Sequence, residues 1–426
     1  MTRLRAVLLL SAVMFVAGLA TGRTMFYNVF FLLVTVIVFS YLWAWAGVNW
    51  LRLTRQTRSR RAQVGHPIQE AFRLRNTGPL PKLWLEVIDA SDLPGHRASH
   101  VANNIPSNTE YAWAVRTYCL ERGRYRLGPI TLSSSDPFGL FTIRRALSHT
   151  TNVVVYPATF TLRSFPMPVG TLPGGDALRR RTHQITANAA GIREYYPGDG
   201  FNRIHWPSTA RKGRLLVKEF ELDPMSDVWI FLDMAAAVHF GERHLDPSEI
   251  VEQAGGRRPP KFELPHSTEE YCISIAASVA QYFLRNDQAL GMVAAGQRWE
   301  VVQADRGERQ VLKILETLSV LRAEGRFPLD EILYRESIGL PRGSTVIVVT
   351  PSVNVRWART ARHLSSSGLR VVAVLVDPEL FGGEPGAAQI AAELEVSGIT
   401  PLIVRRGASW VDVFDRSQPR VTKWVD

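Results

Sequence analysis

Two long uncharged apolar runs at the amino terminus constrain this chain more than any other feature of its sequence. The first run covers residues 6–20, and the second covers residues 25–50 and ends in a cluster of aromatic side chains. About 20 apolar residues span the hydrocarbon core of a bilayer, and Tyr and Trp gather at its interfaces. We therefore predict a hairpin of two transmembrane helices over residues 1–51. Two alternatives stay open: a cleaved signal peptide followed by one anchor, and a soluble protein with two buried helices.

Positive charge predicts the orientation of this hairpin. Arg3 and Arg5 precede it, several arginines follow it over residues 52–61, and the linker holds only Arg23. Because cytoplasmic loops carry the excess of Lys and Arg, we expect a multi-pass protein of the inner (cytoplasmic) membrane with both termini in the cytoplasm. We also expect the cluster at 52–61 to contact anionic headgroups of the lipid bilayer. The chain has two cysteines in 426 residues, which excludes a disulfide framework and is typical of a reducing compartment.

The remaining sequence has the composition of a folded protein and divides into three regions. With 46% hydrophobic residues overall, it is too apolar for a disordered chain. Residues 62–157 contain short alternating runs, at Gln69–Arg75, Leu83–Ala90 and Ala112–Leu120, and turn signals such as Asn76-Thr77-Gly78-Pro79. Several short strands at regular spacing predict a β-sandwich-like module.

From residue 227 onward, apolar runs alternate with helical patterns. Strands are predicted at residues 228–233, 289–295, 299–303, 345–350, 369–376 and 399–404, and helices at 267–285, 310–321, 358–366 and 387–396. Strand–helix alternation predicts an open, doubly wound parallel sheet, so the fold class is α/β with this domain at residues 227–426. Ser267-x-x-Glu270 predicts a capping box at the first of these helices. The polar stretch Met234–Ser267 is expected to be a loop.

Residues 158–226 hold the most distinctive segment of the chain. A G-x-R-E-Y-x-P-G-D motif begins at Gly191, and basic and aromatic residues follow it closely. The residues singled out are Arg193, Glu194, Tyr195, Gly198, Asp199, Arg203, His205, Trp206 and Arg211. One interpretation is a polar cleft whose arginines hold a carboxylate or phosphate. The other is an internal ion-pair cluster that pins the segment against the α/β domain. His205 has no Ser or Cys nucleophile at a recognisable spacing, so no catalytic residue is predicted.

The order of these motifs resembles the bacterial family called domain of unknown function 58. Upstream, Arg122–Pro129 and Asp136–Phe141 resemble that family's lead-in, so the resemblance covers roughly residue 50 to the end. It implies two membrane helices, a β-rich region and a von Willebrand factor A-like domain. It also implies association with MoxR-type AAA+ ATPases and with transglutaminase-like membrane proteins. The resemblance implies no reaction.

Domains similar to von Willebrand factor A often hold a metal ion with a D-x-S-x-S motif after their first strand. This chain has Asp233 there, but Ala235 and Ala237 replace both hydroxyl residues, and Thr350 offers one hydroxyl at the end of a later strand. A hard cation needs more oxygen ligands than that, so we predict no metal. Asp233 is interpreted as a helix N-terminal partner or a binding-surface acid. The absence of any Gly-Lys pair excludes a P-loop, and no cofactor is predicted.

These patterns predict a membrane-anchored cytoplasmic interaction protein, or adaptor, that works with a MoxR-type AAA+ ATPase and is not an enzyme. The expected docking surface includes Asp233, Thr350, Arg193, Asp199 and Arg203. The alternative is an envelope-related hydrolase or transferase that uses the Arg/Asp/His cluster of the signature segment. The formal net charge is +11, but the basic residues are spread over the whole chain, so we expect no nucleic-acid binding.

Overall fold

The computed structural model describes residues 2–167, 189–194, 205–220, 227–242 and 263–414. Within these ranges the chain forms a helical hairpin, a β-rich region, a short strand–helix–strand unit and a mixed α/β domain. The structure therefore contains the predicted combination of two apolar amino-terminal helices with several sheets and an α/β region.

Two apolar helices, α1 (Thr2–Thr21) and α2 (Thr24–Val48), form the hairpin. Gly22 closes the turn between them with a φ of 68°, a conformation that glycine adopts without steric cost. The rings of Phe15 and Phe30 pack at 5.0 Å between the two helices, while most of the outer surface is apolar and exposed. By length and composition, both helices are able to cross a membrane.

Ten strands follow the hairpin and form three sheets. They are β1 (Leu51–Thr57), β2 (Arg61–Gln63), β3 (Pro67–Asn76), β4 (Lys82–Asp89), β5 (His100–Ile105), β6 (Glu110–Tyr118), β7 (Gly123–Leu127), β8 (Ile130–Ser135), β9 (Thr142–Leu147) and β10 (Thr151–Tyr156). The sheet orders are β1-β3-β6, β5-β4-β8-β9 and β2-β10-β7.

The first two sheets are antiparallel and share one apolar core. Side chains such as Phe72 and Leu74 of β3 meet Leu85 of β4 and Leu132 of β8 in this core. Along β3 the even-numbered residues from Ile68 to Asn76 are buried, which is the alternation that identified the strand in the sequence. The two sheets therefore form a sandwich, and the predicted runs at 69–75, 83–90 and 112–120 correspond to β3, β4 and β6.

No linker separates the hairpin from this sandwich. Helix α2 ends at Val48 and β1 begins at Leu51, so Arg52 and Arg55, two arginines of the cluster predicted to contact headgroups, lie within this strand. Arg55 of β1 is buried and bonded to Glu70, which corrects the prediction for this residue. A guanidinium held inside the sandwich does not reach a lipid headgroup.

A short unit follows that we call the signature unit, comprising β11 (Ala189–Glu194), α3 (Trp206–Lys212) and β12 (Leu216–Phe220). Strands β11 and β12 pair antiparallel, so the two ends of the signature segment lie side by side. Gly213 ends α3 in the left-handed conformation, with its N–H donating to the Thr209 carbonyl, as is common at helix C-termini.

The α/β domain is built on a six-stranded sheet. Its strands are β13 (Val228–Leu232), β14 (Leu290–Ala295), β15 (Trp299–Asp305), β16 (Thr345–Thr350), β17 (Arg370–Val376) and β18 (Thr400–Val404). Their order is β15-β14-β13-β16-β17-β18, and every adjacent pair is parallel except β14 with β15.

Helices cover both faces of this sheet, as a doubly wound domain requires. One face carries α4 (Thr268–Arg285), α5 (Glu308–Val320) and α9 (Trp410–Phe414), and the other carries α6 (Leu329–Ser337), α7 (Val355–Ser366) and α8 (Ala387–Val396). The predicted strand and helix bounds agree with these elements to within three residues.

Two features of the domain differ from the prediction. Strand β15 is antiparallel to β14, because only three residues connect them and a parallel connection needs a crossover of about a dozen or more. Helix α6 was not predicted, since its nine residues after Pro328 are too few to show a clear helical period.

The third sheet of the β-rich region packs with the α/β domain rather than with the sandwich. Leu127 of β7 and Val153 and Val155 of β10 share a core with buried residues of α4 and α5. Helix α4 lies in the middle of this core, and 15 of its 18 residues are buried. One continuous apolar interior therefore joins the β-rich region to the α/β domain across the predicted boundary at residue 157.

Candidate functional site

The strand ends of the α/β domain bring together Asp233 and Thr350. Asp233 follows β13, Thr350 ends β16, and these two strands are parallel neighbours. The strand order reverses between them, and open α/β sheets bind ligands at such a switch point, outside the carboxyl ends of the strands. The Thr350 hydroxyl donates to Asp233 Oδ2 at 2.6 Å. The sequence therefore located two side chains that meet at the place where this fold binds ligands.

Both side chains are buried, and their polar atoms are bonded within the protein. Asp233 is 1% exposed and Thr350 is 0% exposed. Asp233 Oδ1 accepts from the Ala235 N–H at 3.2 Å, and Thr350 Oγ1 accepts from the Ser352 N–H at 2.9 Å. Neither side chain reaches the surface, so the expectation that they contact a docking partner directly is wrong. They shape the loops that do reach it.

Burial raises the pKa of Asp233 above its ordinary value, and the nearby Asp330 charge acts in the same direction. The charge of His239 and the hydrogen bonds from Thr350 and Ala235 oppose this shift without cancelling it. The neutral acid is therefore favoured at this position. A cation requires the carboxylate form, so the environment of Asp233 works against metal binding.

The donor set around Asp233 is also poor in oxygen. Ala235 lies against Gly325 through a parallel bridge, and Ala237 is on a single 3₁₀ turn, Ala236–Val238. Among the described residues, no three His, Cys, Asp or Glu side chains are grouped so that they could hold a metal ion. The lack of a metal site remains a prediction that a binding experiment must test.

His239 was not predicted as a site residue; it lies six residues after Asp233 in the stretch expected to be a loop. Its Nε2 is 2.9 Å from the Asp233 carbonyl oxygen, and its Nδ1 is 3.2 Å from Thr268 Oγ1. Gly241 pairs with Ser267 in an antiparallel bridge. The two described ends of the expected loop are thus tied to each other and to the start of α4.

A buried thiol lies next to this site. Burial, followed by the charges of Asp233 and Glu269, raises the pKa of Cys272 well above its ordinary value. Burial raises the pKa of Cys119, which lies in the core shared with the β-rich region, to about 12. Both cysteines are free and buried. A thiol kept protonated in this way is a weak nucleophile.

The signature unit places several predicted residues together. Arg193 is opposite Val217 and Glu194 is opposite Leu216 across β11 and β12. The His205 N–H donates to the Leu216 carbonyl at 2.8 Å, which joins the start of α3 to β12. Tyr195, Gly198, Asp199 and Arg203 lie outside the described residues.

His205 is the N-cap of α3. Its Nδ1 accepts from the Ser208 N–H at 3.3 Å and lies 2.7 Å from Ser208 Oγ. This capping role was not predicted from the sequence, although the backbone N–H two or three residues into a helix is the usual partner of an N-cap side chain. Trp206 and Arg211 are exposed. The observed role of His205 is therefore to begin a helix.

Arg122 forms an ion cluster at the junction of the β-rich region and the α/β domain. Its Nη2 is 2.6 Å from Glu269 Oε1, its Nε is 3.1 Å from Glu270 Oε2, and its Nη1 donates to the Leu321 carbonyl at 2.6 Å. The predicted capping box is therefore wrong, since Ser267 makes no side-chain cap bond. Glu270 binds Arg122 instead.

A second buried cluster lies inside the sandwich, and the sequence analysis did not identify it. Arg55 contacts Glu70 through Nε and Nη2, at 2.7 and 2.9 Å, and Asp89 through Nη1 at 3.2 Å. His96 Nε2 is 2.9 Å from Asp89 Oδ2. Burial alone would raise the pKa of Asp89, but the hydrogen bonds from His96 and Ser91 and the Arg55 charge lower it overall. The cluster joins β1 and β3 of one sheet to β4 of the other.

Known proteins support the resemblance stated above. Residues 191–255 match the family model described as "Protein of unknown function DUF58". The chain is 20% identical over 382 residues to the uncharacterized protein YeaD of Bacillus subtilis, with 87% of each chain covered. This relative covers most of the chain, whereas the family model matches only residues 191–255, from the signature segment into the start of the α/β domain.

Solved structures show only partial similarity. A CARDB domain from Pyrococcus furiosus is 14% identical, with 25% of this chain and 91% of that chain covered and a TM-score of 0.19. The alkylpurine DNA glycosylase AlkC of Pseudomonas fluorescens is 15% identical, with coverage of 25% and 30% and a TM-score of 0.18. At these scores neither structure supports a conclusion about this chain. The family match and the Bacillus relative together support a DUF58 family for it.

Proposed function

We propose that this chain is a membrane-anchored adaptor that presents its α/β domain to a cytoplasmic MoxR-type AAA+ ATPase and catalyses no reaction itself. One observation carries the proposal: at the switch point, Asp233 and Thr350 are buried and bonded to each other. The position where an α/β domain binds ligands is thus occupied by its own side chains. Exposed loops around a closed site favour protein docking over chemistry.

The hairpin would supply the anchor. Both helices expose apolar side chains over most of their length, which a bilayer would cover. The arginine distribution favours a multi-pass protein of the inner membrane with both termini in the cytoplasm. Reporter fusions after Asp426 and in the linker at Gly22 test this orientation. They should report the cytoplasm and the opposite side, respectively, and a periplasmic signal at Asp426 would reject it.

The proposed docking site is the set of exposed residues around the buried pair, which we call the carboxyl-edge surface. It comprises Ala236, Phe327, Val355 and Leu380, each of which lies on a loop or helix start near the carboxyl ends of the strands. Phe327, Val355 and Leu380 are large apolar side chains exposed to solvent. Exposed apolar residues grouped at one edge of a domain are typical of a protein interface.

Further support comes from the strand order and from the family resemblance. The order β15-β14-β13-β16-β17-β18, with an antiparallel edge strand, is compatible with a von Willebrand factor A-like domain that has lost its metal hydroxyls. The resemblance carries the association with MoxR-type ATPases and, as a further partner, with a transglutaminase-like membrane protein. Arg193, Asp199 and Arg203 of the signature segment stay predicted members of the same interface.

Capture of a purified MoxR-type ATPase by the full chain in nanodiscs tests the proposal. The double variant Val355→Glu, Leu380→Glu should weaken capture at least about tenfold, the equivalent of 1.4 kcal/mol. Val396→Glu is a matched control, because Val396 is 87% exposed at the end of α8 and lies away from this edge. If the wild-type chain captures no ATPase, the adaptor function is wrong. If the double variant binds as wild type does, the docking site lies elsewhere.

A further inference from the structure

A cavity of about 360 Å³ lies where the last turns of α2 meet the sheet that contains β4 and β8. Trp43 and Ala46 of α2 form one wall, and Lys82, Leu83 and Trp84 of β4 form another. This volume is within the range of small-molecule sites. Because one wall belongs to an apolar helix of the hairpin, an occupant of the cavity would touch both the hairpin and the sandwich.

At the start of β4 a lysine is buried and two large apolar side chains are exposed, which is the reverse of a strand that faces water. Lys82 is 2% exposed, whereas Leu83 is 50% and Trp84 is 40% exposed. A soluble sheet buries its large apolar residues and exposes its lysines. The reversal indicates that an apolar phase, and not water, covers this surface.

Both ends of the hairpin lie beside this surface. Lys82 donates to the Ala46 carbonyl at the end of α2. In the neighbouring loop, the Phe141 ring packs on Tyr41 at 5.6 Å, and Gly139 lies close to the Arg3 guanidinium at the start of α1. Since α1 begins and α2 ends at the same side of a hairpin, this surface lies at the level where a bilayer would end.

Asp136 also lines the cavity, and its carboxylate fixes the loop that borders it. It accepts from the Phe138 N–H at 2.9 Å and from the Phe141 N–H at 2.6 Å. This turn leaves the Phe138 ring exposed, directly after Pro137, which lines the cavity. The exposed side chains of Leu83 in β4 and Phe138 in this loop therefore extend the apolar surface of the hairpin onto the sandwich.

We propose that the cavity is a phospholipid-binding site, in which an acyl chain lies along Trp43 and Leu83 and the phosphate lies beside the Lys82 ammonium. The inference rests on the membrane insertion of the hairpin proposed above. The apolar wall continues the lipid-facing surface of α2, and Lys82 is the cation that lines the described cavity. The site would hold one lipid between the anchor and the sandwich.

The electrostatics of Lys82 are compatible with a phosphate ligand. Burial lowers the pKa of this ammonium, and an adjacent anion would restore it. An ammonium carries three N–H groups. One of them donates to the Ala46 carbonyl, and the ring of Trp50 lies 5.3 Å from Nζ. A lipid phosphate would accept from the side that faces the cavity.

Photo-crosslinking of the full chain in nanodiscs tests the site. The probe is phosphatidylglycerol with a diazirine in its acyl chain, diluted into phosphatidylethanolamine, and mass spectrometry locates the adducts. We expect adducts on the peptide that contains Leu83 and Trp84, in addition to those on α1 and α2. Leu83→Glu should reduce the β4 adducts about tenfold, the equivalent of 1.4 kcal/mol, while Val396→Glu should leave them unchanged.

A second variant tests the phosphate contact. Because phosphatidylglycerol carries a net negative charge and phosphatidylcholine does not, we expect the wild-type chain to give more β4 adducts with the former at equal chain length. Lys82→Met should remove this preference while adducts on α2 persist. Resistance of the wild-type chain to carbonate extraction reports insertion separately. If the chain is inserted but β4 carries no adduct, the lipid site is wrong and the anchor stands. If the chain is extracted, the proposed anchor is wrong and the lipid site is rejected with it.

Discussion

The sandwich and the strand ends of the α/β domain each bury an aspartate, and the two regions shift its acidity in opposite directions. Asp89 lies between Arg55 and His96, and its pKa is below the ordinary value. Asp233 accepts from the neutral Thr350 hydroxyl and the Ala235 N–H, and its pKa is above the ordinary value. Burial is nearly complete in both cases. The hydrogen bonds and charges of the partners together therefore decide whether the pKa of a buried carboxyl ends below or above its ordinary value.

Arg122 is a third buried ionic group, at the junction of the two regions. Its loss should have the largest effect on the free energy of unfolding. Arg122→Met removes a fully buried guanidinium that contacts both Glu269 and Glu270, so we expect the free energy of unfolding to fall by about 3–5 kcal/mol. Denaturant unfolding of the full chain in detergent micelles measures the change. Arg61→Met removes an exposed pair with Glu316 and should cost less than about 1 kcal/mol. If Arg122→Met and Arg61→Met lowered the free energy of unfolding by the same small amount, the Arg122 cluster would not hold the two regions together.

Arg55→Met should have a smaller effect, about 1.5–3 kcal/mol, because the Arg55 side chain is 7% exposed, whereas that of Arg122 is 0% exposed. Glu70 still accepts from Thr57, and Asp89 still contacts His96. The same unfolding experiment measures the loss. Limited proteolysis separates this variant from Arg122→Met: the sandwich should become sensitive while the α/β domain stays protected. Cleavage of both regions at the same rate would contradict this assignment.

Replacing each aspartate by asparagine should give opposite pH dependences. The lowered pKa of Asp89 gives stability that is present above the ordinary value of 3.8 and is lost as the pH falls through the folded value. The raised pKa of Asp233 gives stability that is present below 3.8 and is lost as the pH rises through the folded value. From about pH 3 to about pH 7, the penalty of Asp89→Asn should therefore grow and that of Asp233→Asn should shrink.

Urea midpoints of the two asparagine variants and the wild-type chain, measured across this pH range, check the signs. Asparagine can replace the neutral acid at Asp233, with one donor and one acceptor. It cannot replace the anion that Asp89 presents to Arg55. If the urea midpoints of both variants, relative to wild type, changed with pH in the same direction, the two carboxyls would titrate alike. The opposite pKa shifts of Asp89 and Asp233 would then be contradicted.

The smallest expected effect is that of a divalent cation. Mg²⁺ or Mn²⁺ should leave the melting temperature of the full chain unchanged, because Ala235 and Ala237 supply no oxygen ligands and burial raises the pKa of Asp233. A ligand at about 100 times its Kd stabilises by about 2.7 kcal/mol, so occupancy would be visible. A saturable shift that disappears in Asp233→Asn would show that the site does hold a metal ion.

The elements predicted from the sequence were those with a strong local pattern. Strand β13 is a continuous apolar run, and α8 shows a clear helical period, so their bounds could be read within a residue or two. The antiparallel direction of β15 was in principle predictable from its three-residue connection to β14. Helix α6 was too short to give such a signal.

The ion clusters could not be predicted, because their members are far apart in the chain. Arg122 and Glu270 are separated by 148 residues, whereas Ser267 and Glu270 have the local spacing of a capping box. The capping-box spacing was present in the sequence, but Glu270 binds Arg122 instead. Leaving a buried guanidinium without a carboxylate costs more free energy than leaving a helix end without a side-chain cap. At the switch point, Asp233 and Thr350 were identified because each follows a strand that is easy to recognise.

Because α2 continues almost directly into β1, the orientation of the sandwich relative to the hairpin is fixed. Every copy of this protein in a membrane would therefore hold its sandwich at the same height and tilt. Only Asn49 and Trp50 separate the two elements, and the Trp50 carbonyl accepts from the Thr77 N–H at 2.8 Å. With no flexible tether, neighbouring copies in one bilayer would share the same height and tilt and differ only by rotation about the membrane normal. A partner with several equivalent subunits could then engage several copies without the entropic penalty of ordering linkers.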